Sequence, residues 1–221
     1  SVLRPLYEME DRGVELTILP ADSKGRLCYE DLEPAIRENT KAIYIETPTN
    51  PMMNVSDISY IAGIAKKHHL LLIVDNTFLS PYFQNPLELG ADIVIHSGTK
   101  FLGGHNDTLA GFVVTNNEEI QERLRFIIKT TGAGLSPFDS WLLLRGIKTL
   151  GIRMEKSQEN AIQIAAWLKQ QSCVKNVYYP GLPEHPGYEI MKKQARGFQR
   201  INVAAPRKII TECLERIRGI L

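Results

Sequence analysis

Five short runs rich in Val, Ile and Leu, spaced by segments of helical pattern, constrain this chain more than any other feature. They fall at residues 14–20, 42–46, 70–75, 92–97 and 110–115. Most are continuous rather than alternating, which is how strands covered on both faces read. Residues 29–39 and 57–68 carry helical spacing, with Asp31 and Asp57 as acidic cap or first-turn candidates, and 116–131 is a helix of mixed charge. This strand–helix rhythm predicts an α/β layer with flanking helices on a mainly parallel sheet. In such sheets ligands sit beyond the carboxyl ends of the strands. Asn50, Asp75 and the segment 97–100 each end or follow a predicted strand, so the fold alone places them at one edge.

Beyond Pro137 the pattern changes. Residues 140–171 read as helix with a break at 146–151, 174–179 as a strand, and 181–187 as a Pro/Gly loop. A short strand at 201–205 and an amphipathic helix at 206–220, opening on Pro206, complete a small α+β domain. The expected division is 1–136, a large α/β domain, and 137–221, a small domain with its linking helix.

Charge and composition narrow the function classes. The formal net charge is +1 with no extended basic run, so nucleic acid is not an expected partner. No apolar run has the roughly 18 residues of a membrane span, and no secretory leader is expected. Cys28, Cys173 and Cys213 are odd in number and widely spaced, which reads as reduced thiols in a cytoplasmic protein. No histidine pair has ligand spacing, and no metal is expected.

Chemistry concentrates in two places. Val74-Asp75-Asn76-Thr77 closes one predicted strand, and Ser97-Gly98-Thr99-Lys100 closes the next. Taken singly, Lys100 is a solvated cation, Asp75 a turn cap, and Ser97 and Thr99 turn formers. Together with their surroundings they say more. AIYIETPTNP at 42–51, IVDNTFLSP at 73–81 and HSGTKFLGGH at 96–105 resemble the Cys/Met-metabolism family of pyridoxal-phosphate enzymes, of fold-type I. LLLRGIKTL at 142–150 and YPGLPEHP at 179–186 extend the resemblance to 42–198 in the right order.

The resemblance implies pyridoxal 5'-phosphate as cofactor. It implies that Lys100 holds the cofactor aldehyde as a Schiff base and later carries protons. Asp75 would keep the pyridine nitrogen protonated, so that the ring acts as an electron sink. Ser97 and Thr99, with turn N–H groups, would bind phosphate. The Asn50 amide would reach the ring hydroxyl, with Glu46 and Thr77 as further neighbours. His105 reads as structural.

The ends differ from the middle. Residues 1–41 look more like class V aminotransferases and cysteine desulfurases. Residues 199–221 look like the carboxyl end of aspartate-aminotransferase-type C–S lyases. There Arg200 would grip a substrate carboxylate through its fork, a surface arginine being the plainer reading. A mosaic of homologous pieces is the expectation, with a divergent natural protein as the alternative. Relatives are longer. A glycine loop and a ring-stacking aromatic are expected before Ser1, and a skipped stretch of small domain between Phe198 and Gln199.

The implied activity is a C–S lyase on sulfur amino acids such as cystathionine, with a small-molecule amino acid as substrate and a homo-oligomer as assembly. A cystathionine γ-synthase-type transferase and a non-catalytic scaffold that binds the cofactor are the alternatives.

Overall fold

The structure, a computed structural model, describes residues 3–22, 26–197 and Glu215. Its contacts divide into two units, Ser1–Thr40 and Lys41–Leu221.

Among its described residues the first unit holds one α-helix, α1 (Leu3–Glu10), and little other regular structure. The expected strand at 14–20 carries no regular secondary structure, with Val14 and Ile18 exposed. A strand exists only through its ladder, and the pairing here is a lone bridge between Ala21 and Leu27. The expected helix at 29–39 is one 3₁₀ turn, Tyr29–Asp31, followed by turns. Pro34 accounts for this: it lacks an N–H, and it turns the preceding residue away from the α region. Arg37 pairs with Glu15 at 2.6 Å and donates to Thr17 Oγ1 at 3.0 Å, tying two stretches of this unit together.

The second unit carries a four-stranded sheet in sequence order: β1 (Ala42–Glu46), β2 (Leu71–Asp75), β3 (Ile93–Ser97) and β4 (Gly111–Val114). The pairs β1–β2 and β2–β3 are parallel, and β4 returns antiparallel. Helix α2 (Ile58–Lys67) makes the first crossover. Asp57 caps it by accepting from the Tyr60 N–H, and Lys66 and Lys67 close its last turn, where cations suit the dipole. The second crossover holds a single turn of helix, α3 (Ser80–Phe83), and a 3₁₀ turn, Pro86–Leu89.

Helix α4 (Glu118–Thr131) starts on an Asn117 cap, and α5 (Pro137–Ile147) on Ser136 with proline at its first position. A break at Lys148 and Thr149 leads into α6 (Leu150–Leu168), where a break was expected. Residues 174–179 form no strand; Tyr178 is exposed and Tyr179 is buried against Ala161 and Ala165 of α6. Among the described residues no strand lies beside it. Helix α7 (Tyr188–Gln194) was not expected. The strand at 201–205, the helix at 206–220 and Arg200 lie outside the described residues.

One sheet face carries Leu72, Val74, Val94 and His96, all buried, with α2 packed on β2. A second core joins Leu79 and Phe83 to Phe101, Leu102, Leu150, Met154 and Met191. Phe101 and Leu102 follow Lys100 directly, so the apolar core grips the segment that carries it. Burying two such side chains contributes about 3–6 kcal/mol.

Candidate functional site

The carboxyl ends of three neighbouring parallel strands meet at one edge. Glu46 ends β1, Asp75 ends β2 and Ser97 ends β3, with Glu46 in register with Asp75 and Asp75 with Ile95. Registered residues of parallel strands share a face. Tyr44, Glu46, Asp75 and Ser97 therefore project from the same side, opposite the buried face.

Asp75 is buried at 9 % exposure. Its Oδ1 accepts from the Thr77 N–H at 3.0 Å, and its Oδ2 from the Tyr44 hydroxyl at 3.1 Å. Among the described residues no cation pairs with it. Burial first, then the charge of Asp75, raises the Tyr44 pKa far above its usual value of 10.0, so the phenol keeps its proton and donates. Glu46 is raised from 4.5 by burial and by the Asp75 charge, with the Asn50 backbone N–H opposing. Two carboxylates stand on one edge, and Asp75 has no ion-pair partner among the described residues, which favours a ligand that brings a positive charge.

The segment after β2 is rigid for a visible reason. Asn76 is fully buried, and its amide donates to Gln84 O at 2.7 Å and Ser80 O at 3.2 Å. Gln84 returns a bond to Asn76 Oδ1 at 2.9 Å, and Gln194 of α7 donates to Gln84 Oε1 at 3.2 Å. Thr77 Oγ1 accepts from the Ser97 N–H at 2.8 Å and joins the ends of β2 and β3.

Lys100 lies in a wide turn, Gly98–Leu102, with its backbone outside the helical region at ψ −116°. It is exposed, and among the described residues its amine makes no hydrogen bond or ion pair. Gly98 has to be glycine: a Cβ would stand 2.8 Å from the Phe112 ring and 2.9 Å from Ala110 Cβ. Thr99 Oγ1 accepts from the Ala110 N–H at 3.0 Å, so this hydroxyl already shapes the turn. The Ser97 hydroxyl makes no such bond among the described residues. Asn50 sits exposed in the turn after β1, a loop closed by Thr49, whose Oγ1 accepts from the Asn54 N–H at 3.0 Å. His105 folds back on Gly103 O at 2.7 Å.

The structure thus brings Asp75, Ser97, Thr99 and Lys100 to one edge, with Asn50 in the loop that leaves it. One participant was not expected: Tyr44 lies two residues before Glu46 on the same strand face, which the period of a strand could have indicated. The donor set fits pyridoxal phosphate: a buried carboxylate without a cation suits a protonated ring nitrogen, and a free amine suits an aldehyde.

The comparisons agree. The cystathionine gamma-lyase of Bacillus subtilis (strain 168) is 55% identical over 186 residues, 84% of this chain and 48% of the relative. The cystathionine beta-lyase of Lactococcus lactis subsp. cremoris (strain MG1363) is 54% identical over 192 residues, 87% of this chain and 50% of that one. The crystal structure of cystathionine gamma-lyase from Lactobacillus plantarum, complexed with L-serine, superposes with a TM-score of 0.80 at 43% identity, over 87% of this chain and 51% of that one. The chain spans about half the length of these relatives. One family match runs unbroken over residues 10–205, through most of 1–41 and across Phe198 and Gln199. With that match and this fold-type I sheet edge, the chain belongs to the Cys/Met metabolism PLP-dependent enzymes, whose cofactor is pyridoxal phosphate.

Proposed function

We propose that the chain acts in carbon–sulfur bond cleavage on a sulfur amino acid such as cystathionine. The observation that carries this reading is the shared edge: Glu46, Asp75 and Ser97 end adjacent parallel strands, and Lys100 follows in the next turn. When bound, pyridoxal phosphate supplies an electron sink for the pair left at the substrate α-carbon.

The chain's own residues do the rest. Asp75, held by Thr77 and Tyr44, stabilises a proton on the ring nitrogen. Lys100 anchors the cofactor, then takes and returns protons at its Nζ. The Ser97 and Thr99 hydroxyls and the Gly98 turn hold phosphate, Thr99 also shaping that turn through Ala110, and the Asn50 amide orients the ring. Arg200, outside the described residues, receives the substrate carboxylate.

Exposed Phe126, Phe138, Trp141 and Leu144 on α4 and α5 support a homo-oligomer. The free, exposed thiols Cys28 and Cys173 suit a reducing compartment such as the cytoplasm. No described helix is long and apolar enough to cross a membrane. We also keep the division into 1–136 and 137–221 as a proposal.

The test supplies the chain with pyridoxal phosphate and cystathionine and follows keto-acid release, with borohydride reduction and peptide mapping alongside. Keto-acid release with a pyridoxyl group on Lys100 supports the reading. Net joining of cysteine to an activated homoserine would make the chain a γ-synthase-type transferase. Labelling of Lys100 without turnover would make it a cofactor-binding scaffold.

A further inference from the structure

We infer that Arg153 is the positioning residue for Lys100, clasping the Lys100 turn to the junction of α5 and α6. The inference deepens the proposed role of Lys100 and rests on it.

The turn that carries Lys100 is irregular. Its closing bonds run from Gly103 N to Gly98 O and from Gly104 N to Lys100 O, both at 2.8 Å. The backbone at Lys100 leaves the helical region (φ −90°, ψ −116°), and such a break leaves carbonyls that need partners from elsewhere. Arg153 supplies one: its Nη1 donates to Phe101 O at 2.6 Å. The same guanidinium donates from Nη2 to Gly146 O at 2.6 Å and from Nε to Thr149 Oγ1 at 3.0 Å. Gly146 is in the last turn of α5, and Thr149 precedes α6. One planar fork therefore joins two broken stretches of backbone.

None of its three partners is a carboxylate, which sets Arg153 apart from an ordinary ion-pair arginine. Its charge faces carbonyl oxygens at a helix carboxyl end, where a cation is favoured. Burial lowers its pKa below the usual guanidinium range, in keeping with a group enclosed by the parts it joins.

Glycines make the close approach possible. Gly104 has φ +76°, and a Cβ there would overlap the Arg153 guanidinium. A Cβ on Gly146 would run into Gly103 O and stand 2.8 Å from Leu102 O. The α5 backbone rests directly on the segment just after Lys100.

The turn is thus fixed at both ends. Before Lys100, β3 pairs with β2 in register with Asp75, and after it Arg153 holds the next carbonyl. A lysine amine on a flexible stem starts from wherever its backbone is held, and misplacement by about 1 Å can cost on the order of 100-fold in rate. A lysine at 153 cannot span three oxygens in one plane, so Arg153→Lys is not conservative here.

The test uses the full chain, Arg153→Gln and Arg153→Lys, with Lys100→Ala as control. Without cofactor, amide hydrogen exchange at Gly103 and Gly104 should speed up about tenfold or more in both Arg153 variants, one charge-assisted bond's worth. Amides of Leu72 and Val74 should keep parent rates. With pyridoxal phosphate, affinity should fall about tenfold and the pH midpoint of its visible absorbance should shift. Parent exchange rates at Gly103 and Gly104 would overturn the clasp. A lower melting temperature with unchanged midpoint and affinity would overturn the positioning role. If Arg153→Gln fails to fold, Thr149→Val removes one acceptor, and unchanged exchange and midpoint in it would also overturn the inference. A borohydride label away from Lys100 in the parent would sink the cofactor reading separately, while exchange still judges the clasp.

Discussion

Tyr44 and Asp75 stand on neighbouring parallel strands, and the Tyr44 hydroxyl donates to Asp75 Oδ2 at 3.1 Å. The other carboxylate oxygen takes the Thr77 N–H, so both sides of the carboxylate are oriented before any ligand arrives. Preorganised groups of this kind are worth more than ones that must turn to meet a ligand.

Tyr44→Phe removes that donor while keeping the ring. It should weaken pyridoxal phosphate binding about 3- to 10-fold, about one hydrogen bond of 0.5–1.5 kcal/mol. A spectroscopic titration measures this, and equal affinity in parent and variant would show that Thr77 alone orients Asp75.

Asp75→Ala separates cofactor attachment from proton chemistry. Borohydride should still fix a pyridoxyl group on Lys100, since the amine needs no help from Asp75 to reach an aldehyde. Exchange of the substrate α-proton with solvent should fall by about 100-fold or more. Parent-like exchange in this variant would remove Asp75 from the mechanism.

His96 gives the fold a pH dependence. It is 5% exposed on the buried sheet face, and burial lowers its pKa below 6.5, outweighing its bond to the Asn76 carbonyl and the Asp75 charge. The unfolded chain then binds the proton more readily. The stability His96 contributes is fully present above pH 6.5 and is lost as the pH falls from there through its folded pKa. His185 is shifted the same way by burial, whereas Glu46 acts oppositely in a window opening at 4.5. Melting temperature should drop as the pH falls below about 6.5, and His96→Gln should flatten part of that slope. An equally steep slope in the variant would assign it to His185.

Gly146→Ala tests the packing beneath Lys100 without touching any charge. The added methyl meets backbone oxygens of Leu102 and Gly103, which cannot swing aside as a side chain would. A loss of about 1–3 kcal/mol is expected from denaturant unfolding. Gly63→Ala, with nothing within 4 Å of its Cβ and a helical position in α2, should be neutral or stabilising by up to about 1 kcal/mol. Equal effects at the two positions would mean that α5 does not rest on the turn.

Much of the strand-end edge was legible in the amino-acid sequence because it is a local matter. The runs at 42–46, 70–75 and 92–97 lie within a residue of β1, β2 and β3, and the chemistry-bearing residues follow their last positions. Asp57 as a cap and the break between α5 and α6 depend on neighbours a few positions away and were equally readable. The runs at 14–20 and 174–179 carry the same strand pattern without becoming strands, because pairing is not local.

By itself, then, the sequence determined the α/β alternation, the family motifs and the edge on which Asp75 and Lys100 fall. Period, turn chemistry and motif order are properties of adjacent residues. Only the tertiary structure decided that Tyr44 orients Asp75 from 31 positions away and that Arg153 holds Phe101 from 52 positions away. It also decided that β4 runs antiparallel and that Tyr179 is buried with no strand beside it among the described residues. Those outcomes depend on which surfaces meet once the chain closes on itself, and no local pattern encodes the partner of a carbonyl oxygen or the depth of a tyrosine.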